Sequence, residues 1–200
     1  MTGSGSDMIV IGLTGSIGMG KSTTAKLFAD ENVPVFEADA MVHELYRCAA
    51  VPLIQQRFPE AVTQGSVDRE KLAQIVLANA GAMADLEKII HPLVRDAELD
   101  FIQRARIAGA RLAVLDIPLL FESGADALCD KVVVVTAPPD IQRARVLERE
   151  GMTAEKFDGL LARQMSDADK RAKADFIVYT DKAIEDARKQ VHQILQTLNA

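Results

Sequence analysis

Apolar and polar positions along the chain follow two rhythms, one of short continuous runs and one of helical spacing. Met8 to Leu13 (MIVIGL) is a nearly continuous apolar run that ends at Thr14 and Gly15, as a strand buried on both faces does. Beyond Gly20 the glycines stop, and Lys21 to Asp30 carries Ala25, Leu27, Phe28 and Ala29 at helix-compatible spacing. The pattern predicts strand, glycine loop and helix in succession. Val33 to Phe36 reads as a second short strand, with Glu37, Ala38 and Asp39 at its carboxyl end, the side on which open α/β sheets place ligands. Residues 40–100 are mostly helical in pattern, with a turn at Gln64-Gly65-Ser66 and a helix start expected at His91-Pro92. That stretch has room for a helical insertion. Arg111 to Leu120 returns to strand spacing and stops at Pro118, and Lys131 to Thr136 (KVVVVT) is the most β-branched segment of the chain. Both are expected as central parallel strands. From Asp140 to Asp175 the pattern is charged and helical, broken at Gly151, and Phe176 to Tyr179 supplies one more strand. In the tail, Ile184, Ala187, Val191, Ile194, Leu195 and Leu198 share one helical face. Strands separated by helices imply right-handed crossovers and a mainly parallel sheet covered on both sides, so the fold class is α/β.

Composition narrows the function. A length of 200 residues suits one compact unit, and 48% hydrophobic with 26% charged residues supplies a core and a solvated surface. A formal charge of -6 argues against a protein whose main task is gripping a nucleic-acid backbone, which needs a basic face. No run approaches the roughly 18 to 20 apolar residues of a membrane span, and the first residues lack the order of a secretory signal. A cytoplasmic protein is expected, with no membrane partner, as a monomer or small homo-oligomer. Cys48 and Cys129 stand far apart with no CxxC spacing, so they read as free thiols rather than a disulfide or metal site. Residues 1–7 (MTGSGSD) are small and polar and precede a second methionine, Met8; they are expected to be a vector-derived or flexible leader outside the fold.

The strongest chemical signal is Gly15-Ser16-Ile17-Gly18-Met19-Gly20-Lys21-Ser22, which satisfies G-x-x-x-x-G-K-[ST] in full between a predicted strand and a predicted helix. Glycines let the backbone turn so that successive N–H groups face phosphate oxygens, and the helix beginning near Lys21 adds its positive end. Lys21 reaches the β- and γ-phosphates of a nucleoside triphosphate as a point charge. The Ser22 hydroxyl suits a Mg²⁺ that bridges them, and Thr23 is a further phosphate contact.

What stands opposite the γ-phosphate separates switches, motors and small-molecule kinases. No guanine-reading N-K-x-D sequence is present, and the chain is short for a motor. Asp39 is placed to take a proton from an attacking hydroxyl, or else to cap a helix beginning at Ala40. Asp116, at the end of the third strand, reads as a carboxylate holding magnesium through water, or with Pro118 as part of a strand-terminating turn. Arg143, Arg145, Arg149 and Arg163 lie on the charged helical stretch. They read either as a lid that closes on ATP or as a solvated face interleaved with Glu148 and Glu150.

Several segments together carry a resemblance to a known family. The loop from Gly12 to Thr23, Glu37-Ala38-Asp39, Val67-Asp68-Arg69 with Leu72, Ile90-His91-Pro92-Leu93-Val94, Leu115 to Glu122 (LDIPLLFE), Arg145 with Arg149 and Gln164, and Ala174-Asp175 resemble dephospho-CoA kinases in order and spacing. The resemblance implies a P-loop three-layer fold over residues 8–200, with a CoA-binding helical insertion at about 40–100 and a lid at about 140–170. It implies transfer of the γ-phosphoryl group of ATP, with Mg²⁺, to the ribose 3'-hydroxyl of dephospho-CoA, the last step of coenzyme A synthesis. Asp39 then matches the catalytic carboxylate, Arg145 and Arg149 match nucleotide-contacting arginines, and Asp39, Arg69, His91 and Pro118 fall at the acceptor. Two departures stand out. Glu37 replaces the first aspartate of the family's Asp-Ala-Asp, and Tyr179-Thr180-Asp181 replaces an Asn and Gly after the last strand.

Overall fold

A computed structural model describes residues 8–199; the expected leader at residues 1–7 lies outside the described residues. The apolar run at the start becomes β1 (Ile9–Thr14), and the glycine loop leads into α1 (Lys21–Asp30). β2 (Val35–Glu37), β5 (Leu112–Asp116), β6 (Lys131–Thr136) and β7 (Phe176–Tyr179) join β1 in a five-stranded sheet of order β2-β5-β1-β6-β7. β1 runs parallel to both β5 and β6, and β6 parallel to β7. The register sets Leu13 beside Asp116, so the phosphate loop and the Asp116 carboxylate leave the sheet side by side.

Alternation along these strands defines one buried face. Ile11 and Leu13, Leu112 and Val114, Val133 and Val135, and Val178 pack with Ala25, Leu27 and Phe28 of α1 and with Ala187, Val191, Ile194 and Leu195 of α9 (Ile184–Asn199). The amphipathic tail is therefore bound to the sheet, although Ile184 at its first turn stays exposed. On the other face Gly12 allows a close approach, since a Cβ there would lie 2.7 Å from Cys129 Sγ and 2.8 Å from Leu120 Cδ2. The charged stretch forms α6 (Pro139–Leu147), α7 (Ala154–Leu161) and α8 (Asp167–Ala172). Gly151 breaks it at φ +72°, a left-handed conformation that glycine adopts without strain.

The described residues divide into two compact units, 8–36 with 102–199, and 37–101. The second unit contains α2 (Ala38–Leu45), α3 (Val51–Arg57), a hairpin of β3 (Val62–Thr63) and β4 (Ser66–Val67), α4 (Arg69–Ala78) and most of α5 (Ala80–Ile107). Its own core gathers Leu45, Ile54, Phe58, Val67, Leu72, Val76 and Ile90. The turn expected at Gln64-Gly65-Ser66 is present, with φ 51° at Gln64 and 75° at Gly65, and it closes a small antiparallel hairpin whose two short strands the mostly helical pattern did not predict. One sequence expectation is corrected here. Pro92 does not start a helix but lies inside α5. A proline interior to a helix removes one hydrogen bond and costs about 3 kcal/mol. Ile90 in the core and Leu93 and Val94 packed against it anchor the helix on both sides of the proline and offset that penalty.

Candidate active site

The glycine loop is held from outside by side chains far away in sequence. Gly18 and Gly20 have φ of +80° and +89°, and a Cβ on Gly15 would stand 2.6 Å from the Val135 carbonyl oxygen; the three motif glycines are required by geometry. The Ile17 N–H donates to Gln164 Oε1 at 3.2 Å, and the Ile17 carbonyl accepts from Gln142 Nε2 at 2.7 Å. The Met19 N–H closes a turn onto the Ser16 carbonyl at 3.1 Å, and the Met19 carbonyl accepts the Thr180 hydroxyl at 2.7 Å. Met19 Sδ accepts the Ala137 N–H at 3.1 Å. Ile17 and Met19, expected to contact nucleotide, thus have their amides occupied within the loop's own frame. By contrast, the N–H groups of Gly18, Gly20, Lys21, Ser22 and Thr23 donate no hydrogen bond within the described residues. These are the orphan donors of a loop and a helix start, and they make the cradle.

At its floor, Lys21 Nζ pairs with Asp116 Oδ1 at 2.5 Å, with the two side chains only 13% and 7% exposed. Removing charge from water is costly unless it is paired, and here the two opposite charges meet at the mouth of the sheet. Asp116 is the last residue of β5, and Pro118 follows as expected for a strand-terminating turn. The Pro118 carbonyl accepts both the Thr14 hydroxyl at 3.0 Å and the Lys170 ammonium at 3.1 Å. Ser22 is exposed at the start of α1. A hydroxyl and a carboxylate, with no nitrogen or sulfur ligand beside them, fit a hard cation that keeps waters and phosphate oxygens in most positions. No cluster of three or more His, Cys, Asp or Glu able to form a cage for a metal occurs among the described residues.

Lys170 is fully buried and also pairs with Glu122 at 3.2 Å, while the Met165 N–H donates to the same carboxylate at 2.7 Å. Burial pushes the Glu122 carboxyl up, but the Met165 N–H and the Lys170 ammonium outweigh it and hold the carboxyl below the usual glutamate range. A depressed folded-state value means this group stabilises the fold above the unfolded value of about 4.5 and loses that contribution as pH falls through the folded one. Glu122→Gln is therefore expected to lower Tm at pH 7, with the gap from the parent closing progressively below pH 4.5. A gap that stays constant from pH 7 to pH 3.5 would contradict this assignment.

Arg145, expected at the nucleotide, sends Nη1 to Thr180 Oγ1 at 3.1 Å and Nη2 to the Thr180 carbonyl at 2.5 Å. Arg149 is exposed on the turn after α6. Arg143 pairs with Asp158 at 3.2 Å and lies over the Phe157 ring, so that one arginine of the three is engaged in joining α6 to α7. Gln142 and Thr180 were absent from the residues singled out as binding groups. The signal for Gln142 was a polar residue four before Val146 on the buried side of α6, where it is 5% exposed. Thr180 stood in plain view as the departure after the last strand.

In the second unit Asp39 occupies the first turn of α2 and is exposed. The residue at the N-cap is Glu37, and no side chain caps the helix; the helix-cap reading of Asp39 is corrected, because β2 runs directly into α2. Arg69 opens α4, whose cap is Asp68, with Oδ1 accepting the Lys71 N–H at 3.1 Å. Burial raises the pKa of the Tyr46 hydroxyl, opposed by the positive charge of Arg69, which places that charge close to Tyr46. His91 is exposed on α5. No helix among the described residues is long and apolar enough to cross a membrane.

Known proteins share this arrangement over almost its whole length. The sequence model of the family described as Dephospho-CoA kinase matches residues 9–186. The Dephospho-CoA kinase of Agrobacterium fabrum is 58% identical over 96% of this chain and 100% of its own length. That of Mesorhizobium japonicum is 55% identical over 96% of this chain and 97% of its own. The solved structure titled Dephospho-CoA kinase from Campylobacter jejuni superposes with a TM-score of 0.72 at 27% identity, covering 94% of this chain and 96% of that one. With the phosphate loop, its paired lysine and the parallel sheet all in place, the chain belongs to the dephospho-CoA kinase family.

Proposed function

We propose that this chain transfers the γ-phosphoryl group of ATP to the ribose 3'-hydroxyl of dephospho-CoA, giving CoA and ADP. The observation that carries the chemistry is the glycine cradle with unpaired amides at Gly18 and Gly20, set against the Lys21–Asp116 pair. Phosphoryl transfer asks little covalent chemistry of a protein. It asks for positioning and for compensation of the charge on the transferring oxygens.

In this reading Gly15 shapes the loop, the amides of Gly18, Gly20, Lys21, Ser22 and Thr23 hold phosphate oxygens, and Lys21 shifts from Asp116 toward the β- and γ-phosphates. Ser22 and, through water, Asp116 would hold Mg²⁺, which would supply compensation of phosphate charge there. Asp39 takes the proton from the acceptor hydroxyl as its oxygen bonds to the γ-phosphorus and the bond to the β-phosphate's bridging oxygen breaks. The helical insertion at about 40–100 binds the acceptor, with Arg69 and His91 on it, and Pro118 is a further acceptor-binding residue. Helices α6 to α8 form the lid. There Arg149 is exposed and able to reach nucleotide, while Arg145 acts through Thr180.

The test is the position of the phosphate on the product. Purified protein with Mg-ATP and dephospho-CoA should yield a compound whose new phosphorus resonance couples to the ribose 3' proton and which co-elutes with CoA. A 2'-phosphate, or ATP hydrolysis with unchanged dephospho-CoA, would overturn the proposal.

A further inference from the structure

The geometry points to Thr180 and Gln142 as positioning residues that aim the phosphate-binding amides of the loop, a role that rests on the phosphate-cradle reading above. A peptide unit is planar, and in the trans form its C=O and N–H point to opposite sides. No cis peptide occurs among the described residues. Tying a carbonyl outward therefore turns the following N–H inward. The Met19 carbonyl is tied by the Thr180 hydroxyl at 2.7 Å, and the next N–H belongs to Gly20. The Ile17 carbonyl is tied by Gln142 Nε2 at 2.7 Å, and the next N–H belongs to Gly18. Those two N–H groups are among the loop amides that donate no hydrogen bond within the described residues. Two alternate peptides of the loop are thus rotated by side chains that never face the phosphate.

Thr180 is itself fixed at every polar atom. Its N–H donates to the Thr136 carbonyl at 3.0 Å, its carbonyl accepts Arg145 Nη2, and its Oγ1 accepts Arg145 Nη1 at 3.1 Å. A guanidinium can only donate. With Arg145 filling an Oγ1 lone pair, the single hydroxyl hydrogen goes to the Met19 carbonyl at 2.7 Å in preference to the more distant Thr136 carbonyl at 3.4 Å. The side chain also fits against Gly20, where an added Cβ would lie 3.2 Å from Thr180 Oγ1 and 3.3 Å from its Cγ2. Thr180, just beyond the last strand, is the keystone of the loop, and Arg145 holds it in place.

Thr180→Val keeps the branched shape against Gly20 and removes only the hydroxyl. Titrating inorganic tripolyphosphate and ADP, each with magnesium, reads the cradle with and without a nucleoside. One neutral hydrogen bond is worth about a 3- to 10-fold change in affinity, so Thr180→Val should weaken both probes by about that factor. Thr180→Ser should bind both as the parent does, whereas in Thr180→Val KM for ATP should rise while kcat at saturating ATP holds. A merely structural role would lower kcat and Tm in the Val and Ser variants alike and would overturn the inference. Unchanged binding of both probes by Thr180→Val would also overturn it, and so would weaker ADP with unchanged tripolyphosphate, which would place Thr180 at the nucleoside. Gln142→Met removes the other tie and is expected to weaken both probes in the same way; it carries the test if Thr180→Val does not fold. Failure of the parent protein to bind either probe would remove the phosphate-cradle reading itself, an outcome distinct from a variant that binds as the parent does.

Discussion

Lys21→Ala is expected to lower kcat/KM for ATP by about 100- to 1,000-fold, the loss seen when one preorganised donor to a transition-state oxyanion is removed. Lys21 places its ammonium at the loop's end with its partner, Asp116, on the adjacent strand. In the proposed reaction the phosphate oxygens would compete for that ammonium, leaving the Asp116 carboxylate able to hold magnesium through water. Removing Lys21 deletes the phosphate contact and also deprives Asp116, 7% exposed, of its ion pair. A drop in Tm should therefore accompany the kinetic loss, because breaking a buried pair removes one of the charges that offset the cost of burying the other. The double variant Lys21→Ala with Asp116→Asn separates the two effects. It should recover much of the Tm while activity stays at the level of Lys21→Ala, and a recovery of activity with stability would contradict the phosphate role of the lysine.

Asp39→Asn should reduce kcat by about 100- to 10,000-fold, the range for a lost general base, with ATP affinity nearly unchanged. The contrast follows from where the residue acts: an interaction made only in the transition state lowers kcat without loosening the ground state. The structure removes the main competing explanation. Asp39 is exposed in the first turn of α2 and its side chain caps nothing, so its replacement is a surface substitution expected to shift stability by no more than about 0.5 kcal/mol. Turnover preserved in Asp39→Asn, with a lowered Tm, would place the residue in the fold rather than the chemistry.

The elements that sequence pattern located best are those whose signal is local and dense. The β-branched run Lys131 to Thr136 is β6 residue for residue, and Phe176 to Tyr179 is β7, because a strand buried on both faces must be apolar at every position. The phosphate loop was legible for a related reason: φ near +80° at Gly18 and +89° at Gly20 admits almost nothing but glycine. Elements set by packing were not legible. Two-residue strands such as Val62–Thr63 carry no period to read, and Pro92 was taken for a helix start because its local preference points that way. Only the core around Ile90 and Leu93 carries the helix through it. The frame of the loop was least visible of all. Thr180 reaches Met19 across 161 positions and Gln142 reaches Ile17 across 125, and neither contact leaves a trace in local pattern. Arg145 was expected at the nucleotide, and its observed partner is Thr180.

The central claim is the identity of the acceptor, and it is tested most directly by an acceptor panel. With Mg-ATP and equal concentrations of dephospho-CoA, shikimate, a nucleoside monophosphate and a sugar acid, ADP release should depend on dephospho-CoA alone and match CoA formation mole for mole. ADP released equally without any acceptor, or faster transfer to another member of the panel, would contradict it.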